Sequence, residues 1–358
     1  MTDISTIGQF GLIQRLTKDI KTNHETTQMG IGDDCAIIKS SKDHQILVTT
    51  DLMLEGVHFD LTYTPLQHLG YKSVINAISD VLAMNAIPKQ ILVSVGLSAI
   101  YTVEMTEELF AGIKLACKFY NLDLIGGDTT SSMTGLTISV TAIGEAVPEE
   151  IVKRSTAKPT DLICVTGNLG AAYMGLRLLA REKNVFEGMN EDKDFVPAFE
   201  GKEYIIERQL KPEARIDIIR LLKDKGILPT SMIDVTDGLA SDLMQIAHHS
   251  NVGIRIYEDR IPIDYQTALM AEEMNMNVVT CALNGGDDHE LLFTVPLSLS
   301  DQIQNLPDIH LIGHITEASL GNYLVTRDQN EIELKAQGWQ GFSNLEQKQS
   351  SKSSKSNK

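Results

Sequence analysis

Alternating apolar runs and helical periodicities along the chain predict an α/β protein built in layers. Gln45–Thr50 and Gln90–Leu97 have the short apolar character of buried strands. Leu66–Asn85 repeats its apolar residues at helical spacing, and Thr102–Tyr120 is a second predicted helix with a threonine near its start as N-cap. Two further strands, one short and running into a Gly-Gly-Asp turn, complete the N-terminal layer.

A break near Pro148 and Pro159 predicts a domain boundary. We therefore expect an N-terminal domain of residues 1–147, a C-terminal domain of residues 148–345 and a tail of residues 346–358. Because Gln347–Lys358 contains only Ser, Lys, Asn and Gln, the tail is predicted to be disordered. The C-terminal elements expected in order are strand Leu162–Thr166, helix Gly170–Ala180, an irregular acidic stretch Arg181–Phe199, helix Pro212–Gly226, strand Ser231–Asp234, helix Leu239–Ser250 and strands Gly253–Tyr257, Glu290–Val295 and Ile309–Ile315.

Charge and composition narrow the classes of partner. The 358 residues include 31 basic and 48 acidic side chains, a formal net charge of −17, which argues against nucleic acid or an anionic membrane as the main partner. An anionic small molecule remains compatible if metal cations bridge it to the protein. No apolar run approaches the roughly 20 residues of a membrane span. The polar N-terminus and four widely spaced cysteines indicate a cytoplasmic protein with reduced thiols.

Aspartates are concentrated at predicted strand ends and glycine turns. They are Asp33, Asp34, Asp51, Asp80, Asp128, Asp234, Asp237, Asp287 and Asp288. Each one alone is explained as a turn former or helix cap. Together, beside Thr hydroxyls, they favour a site where several magnesium ions bind a phosphate-bearing substrate, since grouped carboxylates repel unless cations lie among them.

Other phosphate-binding and hydrolytic motifs are absent or incomplete. The sequence has no P-loop, no G-x-S-x-G and no H-E-x-x-H. Gly30-Ile31-Gly32 begins a dinucleotide fingerprint but meets Cys35 where the third Gly belongs. Gly167-Asn168-Leu169-Gly170 is explained equally well as an anion-binding helix start and as an ordinary strand-to-helix turn.

Seven motifs in order resemble the thiamine-monophosphate kinase family, which belongs to the ATP-binding group typified by aminoimidazole ribonucleotide synthetase. They are Gly30-Ile31-Gly32-Asp33-Asp34-Cys35-Ala36, Thr49-Thr50-Asp51-Leu52-Met53, Glu55-Gly56-Val57-His58-Phe59, Ser79-Asp80, Ile125-Gly126-Gly127-Asp128-Thr129, Asp234-Val235-Thr236-Asp237-Gly238-Leu239 and Gly285-Gly286-Asp287-Asp288. The resemblance implies a two-domain α/β fold whose N-terminal domains pair in a homodimer. It also implies transfer of the ATP γ-phosphoryl group to thiamine monophosphate, with Mg²⁺ between the phosphates and the aspartates.

The resemblance also implies roles for individual residues. The metal positions are Asp34, Thr49, Thr50, Asp51, Asp80, Asp128, Asp234 and Asp237; the ATP positions are Gly127, Asp128, Arg154 and Thr236; the substrate positions are His58, Asp287 and an aromatic residue, either Phe342 or Trp339. No residue is assigned as a catalytic acid or base. From its sequence context alone, Arg154 would be a surface residue in a polar linker.

Four positions depart from the family pattern. Thr236 replaces Ser, Asp287 replaces Glu, His289 stands where Tyr is common, and Asn85 occupies a usual Gly position and is expected in a left-handed conformation. Two alternatives stay open: another ATP-dependent enzyme of the same superfamily, and a non-catalytic nucleotide sensor.

Overall fold

The structure is a computed structural model that describes residues 12, 15–29, 37–188 and 195–338. Asp34, Trp339, Phe342 and the predicted tail lie outside these residues. No helix in the described part of the chain is both long and apolar enough to cross a membrane.

A four-stranded sheet forms the centre of the N-terminal half. Its strands are β3 (Gln45–Leu54), β4 (Ile87–Leu97), β5 (Asp123–Ser131) and β6 (Thr137–Ala146), after a short pair formed by β1 (Thr27–Met29) and β2 (Ile37–Ile38). The spatial order is β3-β6-β4-β5. β6 runs antiparallel to both neighbours, whereas β4 and β5 are parallel. The sheet therefore has β3 at one edge and β5 at the other.

Two helices cover one face of this sheet, α1 (Leu66–Ala83) and α2 (Val103–Tyr120). The predicted threonine cap is confirmed, because the Thr102 side chain accepts a hydrogen bond from Met105 N at 3.3 Å. Asn85, just beyond α1, has the expected left-handed backbone with φ 58°. The other sheet face is open: Val48 and Leu52 of β3 are 64% and 53% exposed.

A mixed seven-stranded sheet forms the C-terminal half. Its strands are β7 (Leu162–Thr166), β8 (Ser231–Val235), β9 (Val252–Tyr257), β10 (Glu290–Val295), β11 (Ile309–Glu317), β12 (Asn322–Val325) and β13 (Glu331–Glu333). Their order is β13-β12-β9-β11-β7-β10-β8, antiparallel except between β9 and β12. The helices are α3 (Ala171–Glu187), α4 (Glu203–Leu210), α5 (Ile216–Asp224), α6 (Leu239–Ser250), α7 (Tyr265–Glu273), α8 (Val278–Asn284) and α9 (Ser300–Gln304).

The two halves share one apolar core. The main cluster of buried side chains runs from the N-terminal sheet and its helices to Cys164 of β7, Phe293 of β10 and the apolar face of α5. A second cluster on the opposite face of the C-terminal sheet includes Val165 of β7 and Leu243 of α6. Because β7 is buried on both faces, its first four residues, Leu162–Val165, form an apolar run rather than an alternating pattern.

Several predicted elements differ from the structure in length. α3 continues to Glu187, so the predicted irregular stretch begins as helix, and Arg181 there pairs with Glu182 and with Glu273 of α7. β5 extends through Gly126-Gly127, because pairing with β4 keeps this dipeptide extended instead of turning. The helix predicted over Pro212–Gly226 is shorter, and α4 and the β12–β13 hairpin were not predicted.

Candidate active site

The negative charges of three predicted aspartates interact at the place where the two halves meet. Asp51 lies on β3, Asp80 in the last turn of α1, and Asp234 on β8. Thr49 Oγ1 donates a 2.6 Å hydrogen bond to Asp80 Oδ2. Burial, together with the negative charge of Asp80, raises the pKa of both Asp51 and Asp234 to about 6. The three carboxylates therefore form an electrostatically coupled group, here called the acidic cluster.

The acidic cluster fits a divalent cation. Asp51 Oδ2 and Asp234 Oδ2 are buried and have no hydrogen-bond partner among the described residues. Mutual repulsion and unpaired carboxylate oxygens are both relieved by a hard cation. Within the described ranges no three His, Cys, Asp or Glu side chains form a metal-ligand group by themselves. Because Mg²⁺ commonly binds one or two carboxylates and completes its shell with water and substrate phosphates, this set suits a nucleotide-bound ion.

The alternation of β3 separates the predicted metal residues into two groups. Thr49 and Asp51 point to the helix-covered face, whereas Thr50 points to the open face and accepts a 3.1 Å hydrogen bond from Thr141 Oγ1. Asp128 is also exposed on the open face, in the cross-strand row that contains Ser94, Ser139 and Leu52. Asp128 lies at the other sheet edge, three strand spacings or about 14 Å from β3. One chain thus presents carboxylates on both faces of the sheet.

Gly127 and Arg154 are the predicted nucleotide-contacting positions near this region. Gly127 has φ 156°, and a Cβ built there would lie 1.8 Å from Val93 O on β4, so only glycine fits. Arg154 is exposed in the segment joining the two halves, where its carbonyl accepts a 2.9 Å hydrogen bond from Ser250 Oγ. The structure does not bring the Arg154 side chain into the acidic cluster.

The segment after β8 contains the predicted site residues Thr236 and Asp237. It leads into α6, which carries Asp242, an acidic residue that was not predicted as part of the site. Asp242, in the first turn of α6, is only 2% exposed and accepts a 3.2 Å hydrogen bond from Thr236 N. Burial and the charges of Asp234 and Asp237 raise the pKa of Asp242 to about 8. Its helical position resembles that of an ordinary first-turn acid, so the sequence carried no signal for its burial.

The predicted acceptor-side residues His58 and Asp287 belong to different halves of the chain and are near enough for the charge of Asp287 to act on His58. His58 Nδ1 accepts a 3.0 Å hydrogen bond from Leu54 N, which leaves Nε2 of the neutral ring as a donor. Burial lowers the pKa of His58, and the negative charge of Asp287 opposes that effect. Backbone hydrogen bonds from Asp287 N to Thr236 O (2.8 Å) and from His289 N to Val235 O (3.0 Å) join the Asp287 loop to the segment after β8.

The acids that follow Asp287 support this loop. Asp288 is fully buried and accepts a 2.9 Å hydrogen bond from Gly170 N at the start of α3. Glu290 accepts hydrogen bonds from Thr166 Oγ1 (2.5 Å), Arg208 Nη2 (2.8 Å) and Arg215 Nη1 (2.5 Å). Asp288 and Glu290 therefore hold β10 against α3, α4 and α5. Both Arg residues were missed by sequence reasoning, because their partners are distant along the chain.

Comparison with known proteins identifies the class of this fold. Residues 32–146 match the family described as AIR synthase related protein, N-terminal domain, and residues 158–319 match AIR synthase related protein, C-terminal domain. Crystal structures of hydrogenase maturation protein HypE share the fold, with a TM-score of 0.70 at 17% identity for the E. coli protein. The chain is thus a two-domain protein of the AIR synthase related class.

Closer relatives define the family. Thiamine-monophosphate kinase of Bacillus subtilis (strain 168) is 34% identical over 339 residues, covering 93% of this chain and 99% of the relative. The Aquifex aeolicus (strain VF5) enzyme is 32% identical, with 94% and 98% covered. Among solved structures, the Stenotrophomonas maltophilia K279a kinase has a TM-score of 0.73 at 29% identity (90% and 95% covered), and AaThiL complexed with AMPPCP and TMP has 0.70 at 31% (94% and 98% covered). The chain belongs to the thiamine-monophosphate kinase family, which confirms the resemblance found in its sequence.

Proposed function

We propose that this protein transfers the γ-phosphoryl group of ATP to thiamine monophosphate, giving thiamine diphosphate and ADP, with Mg²⁺ as the metal. The observation that carries the proposal is the acidic cluster, with its two unpaired buried oxygens, next to the loop of Asp287, whose negative charge acts on His58. Family membership supplies the substrate pair: relatives are named thiamine-monophosphate kinase, and AaThiL was solved with AMPPCP and TMP.

The chemistry requires charge control rather than a strong base. A phosphate monoester has a second pKa near 6, so the acceptor is mostly dianionic at neutral pH and already nucleophilic. Bound Mg²⁺ would neutralise phosphate charge and align the two reacting groups. Asp51, Asp80 and Asp234 would hold the metal, and Thr49 orients Asp80. His58 would contact the acceptor, and the side chains need not transfer a proton.

The nucleotide side of the site is proposed on the open face of the N-terminal sheet. Thr50 and Asp128 lie there, and Gly127 allows the close packing of β5 against β4 that places Asp128 at this face. Thr236 and Arg154 would approach the nucleotide from the C-terminal half, and Asp237 would add a metal-binding carboxylate. Asp34, Phe342 and Trp339 keep the roles that the family pattern implies for them.

A homodimer is proposed because the open face is apolar along β3. Ile46, Val48 and Leu52 are 42%, 64% and 53% exposed, and they share their face of β3 with Thr50. Pairing of two such faces would cover them and would bring the partner chain close to the nucleotide side of the site. We place the protein in the cytoplasm, where ATP is available and where the buried free thiols of Cys117, Cys164 and Cys281 stay reduced.

The test is product formation by the purified protein. ADP release should require Mg²⁺ and should rise when thiamine monophosphate is added, and mass spectrometry should identify thiamine diphosphate. An ADP release rate that does not change when thiamine monophosphate is added would indicate another acceptor within the superfamily. ATP binding without turnover under all conditions would favour the nucleotide sensor and refute the proposal.

A further inference from the structure

Lys72 is a buried lysine of α1 that reaches from the N-terminal half into the C-terminal half. Its side chain is 6% exposed. Its ammonium donates a 2.8 Å hydrogen bond to Gln209 O, near the end of α4, and forms an ion pair with the Asp287 carboxylate. Leu69 and Ile75, one turn before and one turn after Lys72 on α1, are apolar and fully buried.

Burial of an ammonium group in such a core needs a reason. Removing a charge from water is unfavourable unless the charge is paired and hydrogen-bonded, and an apolar side chain of similar size is usually at least as stabilising. Packing alone therefore does not explain Lys72. Both of its contacts lie on the segments that border the acceptor side of the site.

The consequence of the ion pair is a fixed Asp287 carboxylate. Oδ2 is held by Lys72, and Oδ1 is 3.1 Å from His289 Nε2. Asp287 and His289 both have left-handed backbone conformations, with φ 65° and 54°, so the loop aims the two side chains at each other. The Asp287 side chain remains 36% exposed, and a carboxylate has about four lone-pair sites, so acceptor capacity is left on its outer edge.

We propose that Lys72 is a positioning residue for acceptor recognition, which orients the Asp287 carboxylate toward the N–H-bearing aminopyrimidine part of thiamine monophosphate. The inference rests on the proposed function. In this chain the shorter Asp stands where Glu is usual, so the carboxylate reaches less far into the site. Lys72 and His289 then define the one direction in which it points.

The first experiment separates acceptor affinity from nucleotide affinity. Lys72→Met should raise the KM for thiamine monophosphate by about tenfold or more, as expected for a charge-assisted contact that is misaligned, while the KM for ATP changes by less than about twofold. Lys89→Met is the matched control, because it removes another largely buried pair, Lys89–Glu145 at 2.5 Å, on the N-terminal sheet. The control should leave both KM values unchanged.

The second experiment tests whether Lys72 acts through Asp287. Thiamine monophosphate binding is measured at equilibrium, without turnover, in Lys72→Met, Asp287→Asn and the double variant. The two single changes should weaken binding, and adding Lys72→Met to Asp287→Asn should change it by less than about twofold. If Lys72→Met does not fold, Lys72→Gln replaces it, because the amide can still donate to Gln209 O.

Three outcomes would overturn the role of Lys72. They are an unchanged KM for thiamine monophosphate in a folded variant, an equal rise in both KM values, and a full effect of Lys72→Met in the Asp287→Asn background. Failure of the wild-type protein to make thiamine diphosphate would instead refute the proposed function, so the two failures are distinguishable.

Discussion

Replacing the buried acid Asp242 with Asn is expected to stabilise the metal-free protein at alkaline pH. Asp242 is 2% exposed and lies near the charges of Asp234 and Asp237, and these two causes raise its pKa from 3.8 to about 8. Asn keeps an oxygen that accepts the hydrogen bond from Thr236 N. The substitution therefore removes a destabilising charge while the contact that holds α6 remains.

The sign and size follow from proton linkage. Because the folded protein holds the Asp242 proton more tightly than the unfolded chain does, the contribution of Asp242 to wild-type stability falls as pH rises from about 4 to about 8. A pKa raised from 3.8 to about 8 sets an upper limit of about 6 kcal/mol, at about 1.4 kcal/mol for each factor of ten. Local relaxation and water penetration reduce such values, so we expect about 2 kcal/mol at pH 8.5, or about 3 °C in melting temperature for a chain of 358 residues.

The assay is thermal unfolding in EDTA at a series of pH values from 5 to 8.5. The advantage of Asp242→Asn over wild type should be smallest at pH 5 and should grow through this range. Asp224→Asn, at an exposed position in the last turn of α5, is the control and should shift the melting temperature by the same small amount at every pH. An advantage that is absent, or that does not change with pH, would refute the assigned cause.

Three further variants test other parts of the structure. Asp51→Asn should lower kcat by at least about 10³-fold with an unchanged circular dichroism spectrum, since it removes a charged ligand of the metal; wild-type turnover in the folded variant would contradict the metal assignment. Asp123→Ala should lower the free energy of unfolding by about 2–4 kcal/mol in urea titrations, because the fully buried carboxylate accepts hydrogen bonds from three donors of the N-terminal segment. Gly127→Ala should weaken ATP binding and lower the melting temperature, because its Cβ would meet Val93 O at 1.8 Å. Gly126→Ala is the control and should be tolerated, because its Cβ would lie 3.4 Å from a Leu92 side-chain carbon. Equal effects of the two substitutions would contradict this geometry.

Sequence reasoning predicted the existence and type of most elements, but not all of their lengths. Helical periodicity in α1 and the apolar run of β7 are local patterns, and both elements appeared where expected. β5 was predicted too short, because Gly126-Gly127 indicates a turn until the pairing with β4 is known. α4 was not predicted, since its helix is short and its burial depends on packing against α3.

In the candidate site, too, residue types and strand periodicity could be predicted from the sequence, whereas the contacts between distant segments could not. The family resemblance implied that Asp51, Asp80 and Asp234 bind metal, and the structure adds that their charges interact. The separation of Thr49 from Thr50 follows from the two-residue period of a strand, so the sequence contained it in principle. Which sheet face each would occupy depended on where α1 packs.

The sequence by itself determined the α/β class, the family and the chemical types gathered in the site, because motifs and periodicities are carried by neighbouring residues. Only the tertiary structure decided that Lys72 is buried against Asp287, 215 positions away, and that Asp242 is enclosed beside two other carboxylates. Both facts depend on which surfaces of α1, α6 and the C-terminal loops meet. Burial and pairing between distant segments set the charge state and orientation of the Lys72, Asp287 and Asp242 side chains. No local sequence pattern encodes which distant segments come into contact.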